Sequence, residues 1–380
     1  MVARDAFEPV GTLLHDRLLT MVNSQSVLDT LPHIDRQYGG LVLTGVDAPV
    51  RCREIRNAFP DLVVAMDHES HVYAAATADA PFGIRTRNGF QSVSGSELSE
   101  VLEGQLLNKT SFAVTPTCFI HHDDEGDQVI RAVVSRANAL DRTDTVVLLP
   151  VSYKWLQSAS LPRLAAQIWT SRHPVALIMQ SDRDPLIHRG VVEGLRQLCR
   201  SCPGLLVWRT DLAAFDAMVH GALGAAVGAT AGLRHGVDPL RTGGGGSWKP
   251  FTSVLAGRLL RYVRVATLQD WFAHSEPWTC NCPVCQGATL TRFTDKPSDT
   301  IAAAQHSARE LYALHQELTA TVPGGDRLEW WRQLLDDAFA YHRDLALQAE
   351  MEIAVPSVLR AWRQASPLPL PRSHERPGPS

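Results

Sequence analysis

Long apolar runs are missing from this 380-residue chain, and so is a large excess of charge of either sign. No uninterrupted hydrophobic stretch approaches the roughly 20 residues that cross a bilayer, so no membrane partner is expected. Met1 to Val22 carries acidic residues and no continuous apolar core. That argues against a secretory signal and predicts a cytoplasmic protein. The formal net charge is −4 and the pI is near 6.4, so the chain lacks the global basic field of many nucleic-acid binders. A local basic patch remains compatible with that balance. Cysteine is scarce, at seven residues, and the odd count fits reduced thiols and a metal better than a disulfide framework. No G-x-G-x-x-G follows an early strand, which weakens a dinucleotide-binding reading. Four consecutive glycines, Gly243 to Gly246, lack the Lys-Ser/Thr ending of a P-loop although Lys249 is near, and they read as a mobile loop.

What is present is a globular composition, 45% hydrophobic and 20% charged, in a chain long enough for one large domain with appendages or for two. Short apolar runs recur at 40–46, 62–66, 111–119, 145–151, 174–179, 205–208 and 222–227. Most are rich in β-branched residues and bounded by turn residues, as buried parallel strands are. Amphipathic segments at 129–140, 161–171, 190–199 and 212–220 lie between them. Repeated strand-then-helix units mean a parallel sheet with helical crossovers, and the number of units fits an α/β TIM (β/α)8 barrel. A doubly wound open sheet is the alternative. The expected layout is an N-terminal helical segment over 1–35, a TIM-like barrel over 36–272, a C-terminal zinc-binding helical subdomain over 273–365 and a disordered tail over 366–380. Within the subdomain a helix should run from Ser298 or Asp299 to about Val322, and a second over 326–351.

The sharpest local signal is Cys280-Asn281-Cys282-Pro283-Val284-Cys285, a C-x-C-x-x-C in a short Pro- and Gly-bearing segment. Zinc prefers soft thiolates and imidazole in a tetrahedron, and structural sites are closed by four protein ligands. Cys280, Cys282 and Cys285 supply three. His306 and His315 follow on the predicted helix, nine residues apart and thus about 180° apart around it. Only one can face the thiols. His306, at the nearer spacing, is favoured, with His315 as the fallback. Such a Zn2+ site is structural and clamps an appendage onto the main domain. Cys199 and Cys202 form a second C-x-x-C that reads as two unrelated buried thiols, and Cys52 and Cys118 read as core packing.

The stretch Glu276-Pro277-Trp278-Thr279-Cys280-Asn281-Cys282-Pro283-Val284-Cys285 resembles the zinc loop of tRNA-guanine transglycosylases. That family has a TIM barrel with a C-terminal zinc subdomain, and the resemblance implies Cys280, Cys282, Cys285 and His306 as ligands. Residues 211–235 have the rhythm of its late-barrel region, where a nucleophilic Asp ends a Gly-rich strand. Here Gly221 to Thr230 holds no carboxylate, and Asp238 comes several residues later. The family's Asp-Ser-Gly-Gly-Phe-Gln motif supplies another active-site Asp, but in Thr86-Arg87-Asn88-Gly89-Phe90-Gln91 only Gly-Phe-Gln is kept. The resemblance implies glycosidic-bond, base-exchange chemistry on a nucleobase or nucleic acid. The missing carboxylates favour instead a non-catalytic barrel serving as a nucleic-acid-binding or partner subunit. The partners to expect are tRNA or DNA, or a free nucleobase, together with a homodimer or a partner protein.

Barrel chemistry sits at the C-terminal ends of the strands, so polar residues just after the predicted strands are the candidates. Asp67 leads, because it follows directly on an apolar strand. It suits a nucleophile toward a ribose C1′ carbon or an acceptor for the N–H edge of a base. Asp182 and Asp211 are the further catalytic candidates, and Gln180, Arg234 and His235 the substrate-binding ones. Asp184 before Pro185 reads as a turn and N-cap. The run from His121 to Glu125 reads as a solvated loop. A second metal on His68, His71 or His121 is disfavoured for want of H-x-H or H-E-x-x-H spacing. Arg258, Arg261 and Arg264, three apart, would share a third of a helix and could form a phosphate-contacting face.

Overall fold

The computed structural model describes residues 7–236, 238–239, 251–322 and 325–365. The glycine run 243–246 and the segment 366–380 lie outside the described residues. The strands are β1 (Arg17–Asn23), β2 (Leu41–Thr44), β3 (Val64–Asp67), β4 (Phe82–Thr86), β5 (Gly89–Val93), β6 (Ala113–Val114), β7 (Thr145–Ser152), β8 (Val175–Gln180), β9 (Leu205–Thr210), β10 (Gly224–Gly228), β11 (Ser253–Ala256) and β12 (Arg261–Arg264). Eight of them form one parallel sheet in the order β3-β2-β1-β10-β9-β8-β7-β6. The ends nearly meet. Ser111 N–H, just before β6, donates to Val64 O in β3 at 2.7 Å, so the sheet curls into a nearly closed TIM-like barrel.

Side chains alternate across a strand, and the two faces of this sheet bury two different sets. Leu19, Met21, Val42, Val63, Ala65, Val146, Leu148, Ala176, Ile178, Leu206, Trp208 and Ala226 share one buried cluster, the barrel interior. Their neighbours Leu18, Val22, Leu41, Val64, Met66, Val147, Leu177 and Val207 join the larger layer between strands and helices. Because both faces are dry, the strands read as continuous apolar runs, which is why most were visible in sequence.

The N-terminal stretch departs from expectation. Residues 17–23 form β1, central to the barrel, where a helical segment was expected over 1–35. Arg17-Leu18-Leu19-Thr20-Met21-Val22-Asn23 is a strand because β2 and β10 both pair with it. Leu, Met and Arg alone would favour helix, so tertiary pairing overrides local propensity. Two antiparallel hairpins, β4–β5 and β11–β12, were also unforeseen. The second corrects the arginine strip. Arg258 lies in the 3-10 turn Gly257–Leu259, whereas Arg261 and Arg264 end β12, so the three share no helical face.

The helices Pro297–Ala320 and Gly325–Gln348 match the expected pair. They brace the start of β1: Tyr312 Oη lies 2.9 Å from Thr20 Oγ1, and Arg327 grips Asp16 through both carboxylate oxygens at 2.7 and 2.9 Å. Farther round, Arg196 and Asp216 form a buried ion pair at 2.7 Å. Arg196 also donates to Trp362 O and Ala365 O, while Trp331 Nε1 donates to Asp216. This network ties the last helix, Ser357–Gln364, to the barrel's outer ring. Every charge in it is paired, as burial demands.

Candidate functional site

Two places gather chemistry, a thiol–imidazole cluster beside the barrel and the mouth at the C-terminal strand ends. In the first, turns around Cys280–Gln286 bring three sulfurs together. Cys282 N–H lies 3.5 Å from Cys280 Sγ, and Cys285 N–H 3.4 Å from Cys282 Sγ. His306 Nδ1 stands 3.6, 3.4 and 3.4 Å from the sulfurs of Cys280, Cys282 and Cys285. Ideal tetrahedral bond lengths place such S and N ligands roughly 3.5 Å apart. All four donor atoms lie within 4.8 Å of one another, so this group could hold a metal ion. The second shell fits too. His306 Nε2 bonds Leu255 O at 2.9 Å, which leaves Nδ1 as the lone-pair donor toward the sulfurs. A guanidinium nitrogen of Arg292 approaches Cys285 Sγ at 3.7 Å.

His315 takes the opposite helix face, as a separation of nine residues requires. Its Nε2 bonds Asp16 O at 2.8 Å at the base of the barrel, so His306 is the fourth member of the cluster. Among the described residues no second group of this kind gathers, so His68, His71 and His121 form no metal cluster.

At the mouth, alternation along β3 turns Val63, Ala65 and then Asp67 inward. Asp67 is 2% exposed. Its Oδ1 accepts the backbone N–H of Glu69 at 2.7 Å, and its Oδ2 accepts Trp208 Nε1–H at 3.2 Å. Burial and the nearby Glu69 carboxylate push its pKa up to about 6, against the pull of Arg209. Glu69 pairs with Arg209 at 2.9 Å. Arg209 reaches that position because β9 and β10 slip register at Ala225/Val227 and its own φ is +51°. Such a bulge re-aims a side chain, and here it places a guanidinium near the mouth. Arg209 also donates to Gly232 O at 2.8 Å and His235 O at 3.3 Å. Close by, burial holds His68 down at about 4, so its imidazole is neutral at pH 7. His71 is fully buried, and burial keeps it neutral as well, with neither ring nitrogen hydrogen-bonded.

The other candidates cluster across the mouth. Gln180 is buried at the end of β8. Asp182 is exposed, and Asp184, expected only as a cap, is the one that stands near Asp211 and His235. Asp184 does cap, accepting Leu186 N–H at 2.9 Å, and burial together with Asp211 lifts its pKa to about 6. Asp211 Oδ2 lies 3.5 Å from His235 Nε2. Arg234 is buried, donates to Gly228 O and Ala229 O at 3.2 Å each, and stacks on the Tyr262 ring. Its contacts shape the loop after β10.

That loop packs tightly against the end of β10. A Cβ at Gly228 would fall 2.3 Å from the backbone of Leu233, so the end of β10 has no room for any side chain there. The segment Gly89-Phe90-Gln91 lies on the exposed hairpin β4–β5, away from the barrel interior. Glu69, Arg209 and Asp184 follow predicted strands in sequence but were not singled out there, and the structure brings all three to the mouth. Asp-Pro at 184–185 disguised one, and no local pattern announces a bulge at Arg209.

No family model and no curated protein matches this chain. Among solved structures, the crystal structure of TcOYE with pHBA is similar at 10% identity, covering 54% of this chain and 79% of that one, with a TM-score of 0.33. The carboxyl transferase domain from Rhizobium etli pyruvate carboxylase with pyruvate and biocytin is similar at 11% identity, covering 96% of this chain and 60% of that one, with a TM-score of 0.37.

Proposed function

We propose that this chain is a zinc-containing relative of the tRNA-guanine transglycosylases that takes a nucleobase, free or within a nucleic acid, into its barrel mouth. The observation that carries the reading is Asp67. A buried carboxyl, lifted to about 6 and held by Trp208 and the Glu69 N–H, ends an inward-facing strand position. Its ionised form can accept the N–H edge of a base or attack a ribose C1′ carbon, and its protonated form can donate. Arg209 and Glu69 set the local charge beside it. Asp211 with His235, and Asp184 beside them, supply a second proton-handling group across the mouth.

Zn2+ fits the Cys280, Cys282, Cys285 and His306 donor set, since three thiolates and an imidazole fill a tetrahedron, and its role there is structural. The decisive experiment is incubation with labelled guanine and either RNA or DNA. Incorporation that Asp67→Ala abolishes supports base exchange; incorporation that persists in Asp67→Ala removes Asp67 from the mechanism.

A second reading rests on β10, where Gly228-Ala229-Thr230 carries no carboxylate and position 228 admits none. It makes the barrel a binding or partner subunit that holds a base without exchanging it. Guanine binding by calorimetry with no incorporation into either nucleic acid would select it.

A further inference from the structure

Resting on the nucleobase reading, we propose that the hairpin β4–β5 is the element that holds the strand of a single-stranded nucleic acid while one base reaches Asp67. The hairpin springs from the mouth end of the barrel, following β3 and the short helix Ser70–Tyr73. It is anchored by Gly83 N–H to Pro116 O at 2.9 Å and by the Ser70 hydroxyl to Gly83 O. Its sequence, Phe82 to Val93, contains two arginines and no acidic residue. Arg85, Arg87, Asn88, Phe90 and Gln91 are all exposed. Arg85 and Phe90 are cross-strand partners, so a cation and an aromatic ring sit side by side.

A pocket of about 230 Å³ joins this hairpin to the mouth. Tyr73 and Arg85 form one wall, His68 and Glu69 another, and Glu69 is hydrogen-bonded to Asp67. The Arg85 guanidinium lies 4.3 Å over the Tyr73 ring, a ready-made platform for a base. The Arg87 side chain is 81% exposed, and its ion pair is a 3.3 Å contact to the half-exposed Asp47. So weak a surface pair is readily exchanged for a phosphate. Exposed arginine, aromatic and amide groups beside a base-sized pocket are what sequence-tolerant single-strand binding uses.

The test is fluorescence anisotropy with a labelled single-stranded oligonucleotide, as RNA and as DNA, on the full chain over a range of salt. Guanine binding is followed in parallel by calorimetry. The Arg85→Ala/Arg87→Ala double variant should bind the oligonucleotide about 10-fold more weakly. Its salt slope should fall by about 1.4, since each single-strand phosphate contact contributes about 0.7. Arg85→Lys/Arg87→Lys should restore the slope, and Phe90→Ala should weaken binding by about 5-fold. Guanine affinity should stay unchanged in Phe90→Ala and in the single variant Arg87→Ala, whose side chains line no part of that pocket. Unchanged oligonucleotide affinity and slope in the double variant, or guanine binding without oligonucleotide binding in the parent, overturns the proposal and leaves the nucleobase reading standing. Oligonucleotide binding that needs the arginines, with no guanine bound, would fail the nucleobase reading instead.

Discussion

The thiol–imidazole centre and the barrel mouth are both built from polar side chains held in a fold, yet they are assembled in different ways. Three of the centre's four donors lie within six consecutive residues, and the fourth is on the next long helix. Its geometry is local, set by one turn and one helix. The mouth draws Asp67 from β3, Asp184 from just beyond β8, Arg209 from β9 and His235 from the loop after β10. No two of these are near in sequence, and each is placed by strand register. The centre therefore announces its chemistry in a motif, while the mouth expresses its own only through the fold.

The comparison is tested most forcefully at the centre. Cys282→Ser should remove the metal and destabilise the region that packs around it, including Phe293, Leu345 and Ile353. The expected loss exceeds about 4 kcal/mol, because structural metal binding is folding free energy. Metal analysis should fall from about one zinc per chain to none, with a matching drop in thermal stability. Retention of the metal would show that Cys282 is not one of its ligands.

The next effect belongs to the mouth and depends on pH. An unfolded Asp ionises near 3.9, whereas Asp67 in the folded chain does so at about 6. Between those values the folded chain holds a proton that the unfolded chain has released. Asp67 therefore costs stability as pH rises through that window, by about 3 kcal/mol at most. Asp67→Asn keeps the shape and has nothing to ionise. Urea unfolding at pH 4.5 and pH 7 should show the variant gaining on the parent at the higher pH. Parallel behaviour at both values would mean that Asp67 is not perturbed. Arg209→Gln should act in the opposite sense to a cure, raising the Asp67 pKa further by removing the cation that lowers it.

How much was legible follows from the same contrast. Most barrel strands could be read because burial on both faces leaves continuous apolar runs, as in Thr145–Ser152 and Val175–Gln180. β1 could not, since Arg17, Thr20 and Asn23 interrupt it and only its two neighbours make it a strand. Asp67 was legible because a carboxylate on an apolar run needs a reason. Arg209 was not, because its role depends on a register slip against β10 that no residue type encodes. The arginines at 258, 261 and 264 misled for a related reason: spacing by three fits a helix, but pairing with β11 made the last two part of a strand.

A pair of variants on one helix sharpens the boundary of the centre. His306→Ala and His315→Ala remove imidazoles from opposite faces of one helix, and the two should part cleanly. The first should lose the metal. The second should keep it and cost about 2 kcal/mol, from a buried hydrogen bond to Asp16 O and the space left behind.

Arg292→Ala should move least. Its guanidinium approaches Cys285 Sγ at 3.7 Å and Val284 O at 3.2 Å, contacts that orient a ligand without replacing one. Outer partners of this kind tune affinity by about 10-fold, against complete loss for a ligand. Competition with a chelator should show that weakening with stoichiometry unchanged. Base binding at the mouth should not respond at all, because the centre reaches the mouth only through the shared fold. A change in guanine affinity on Arg292→Ala would mean that the two regions are coupled and that the centre contributes more than a clamp.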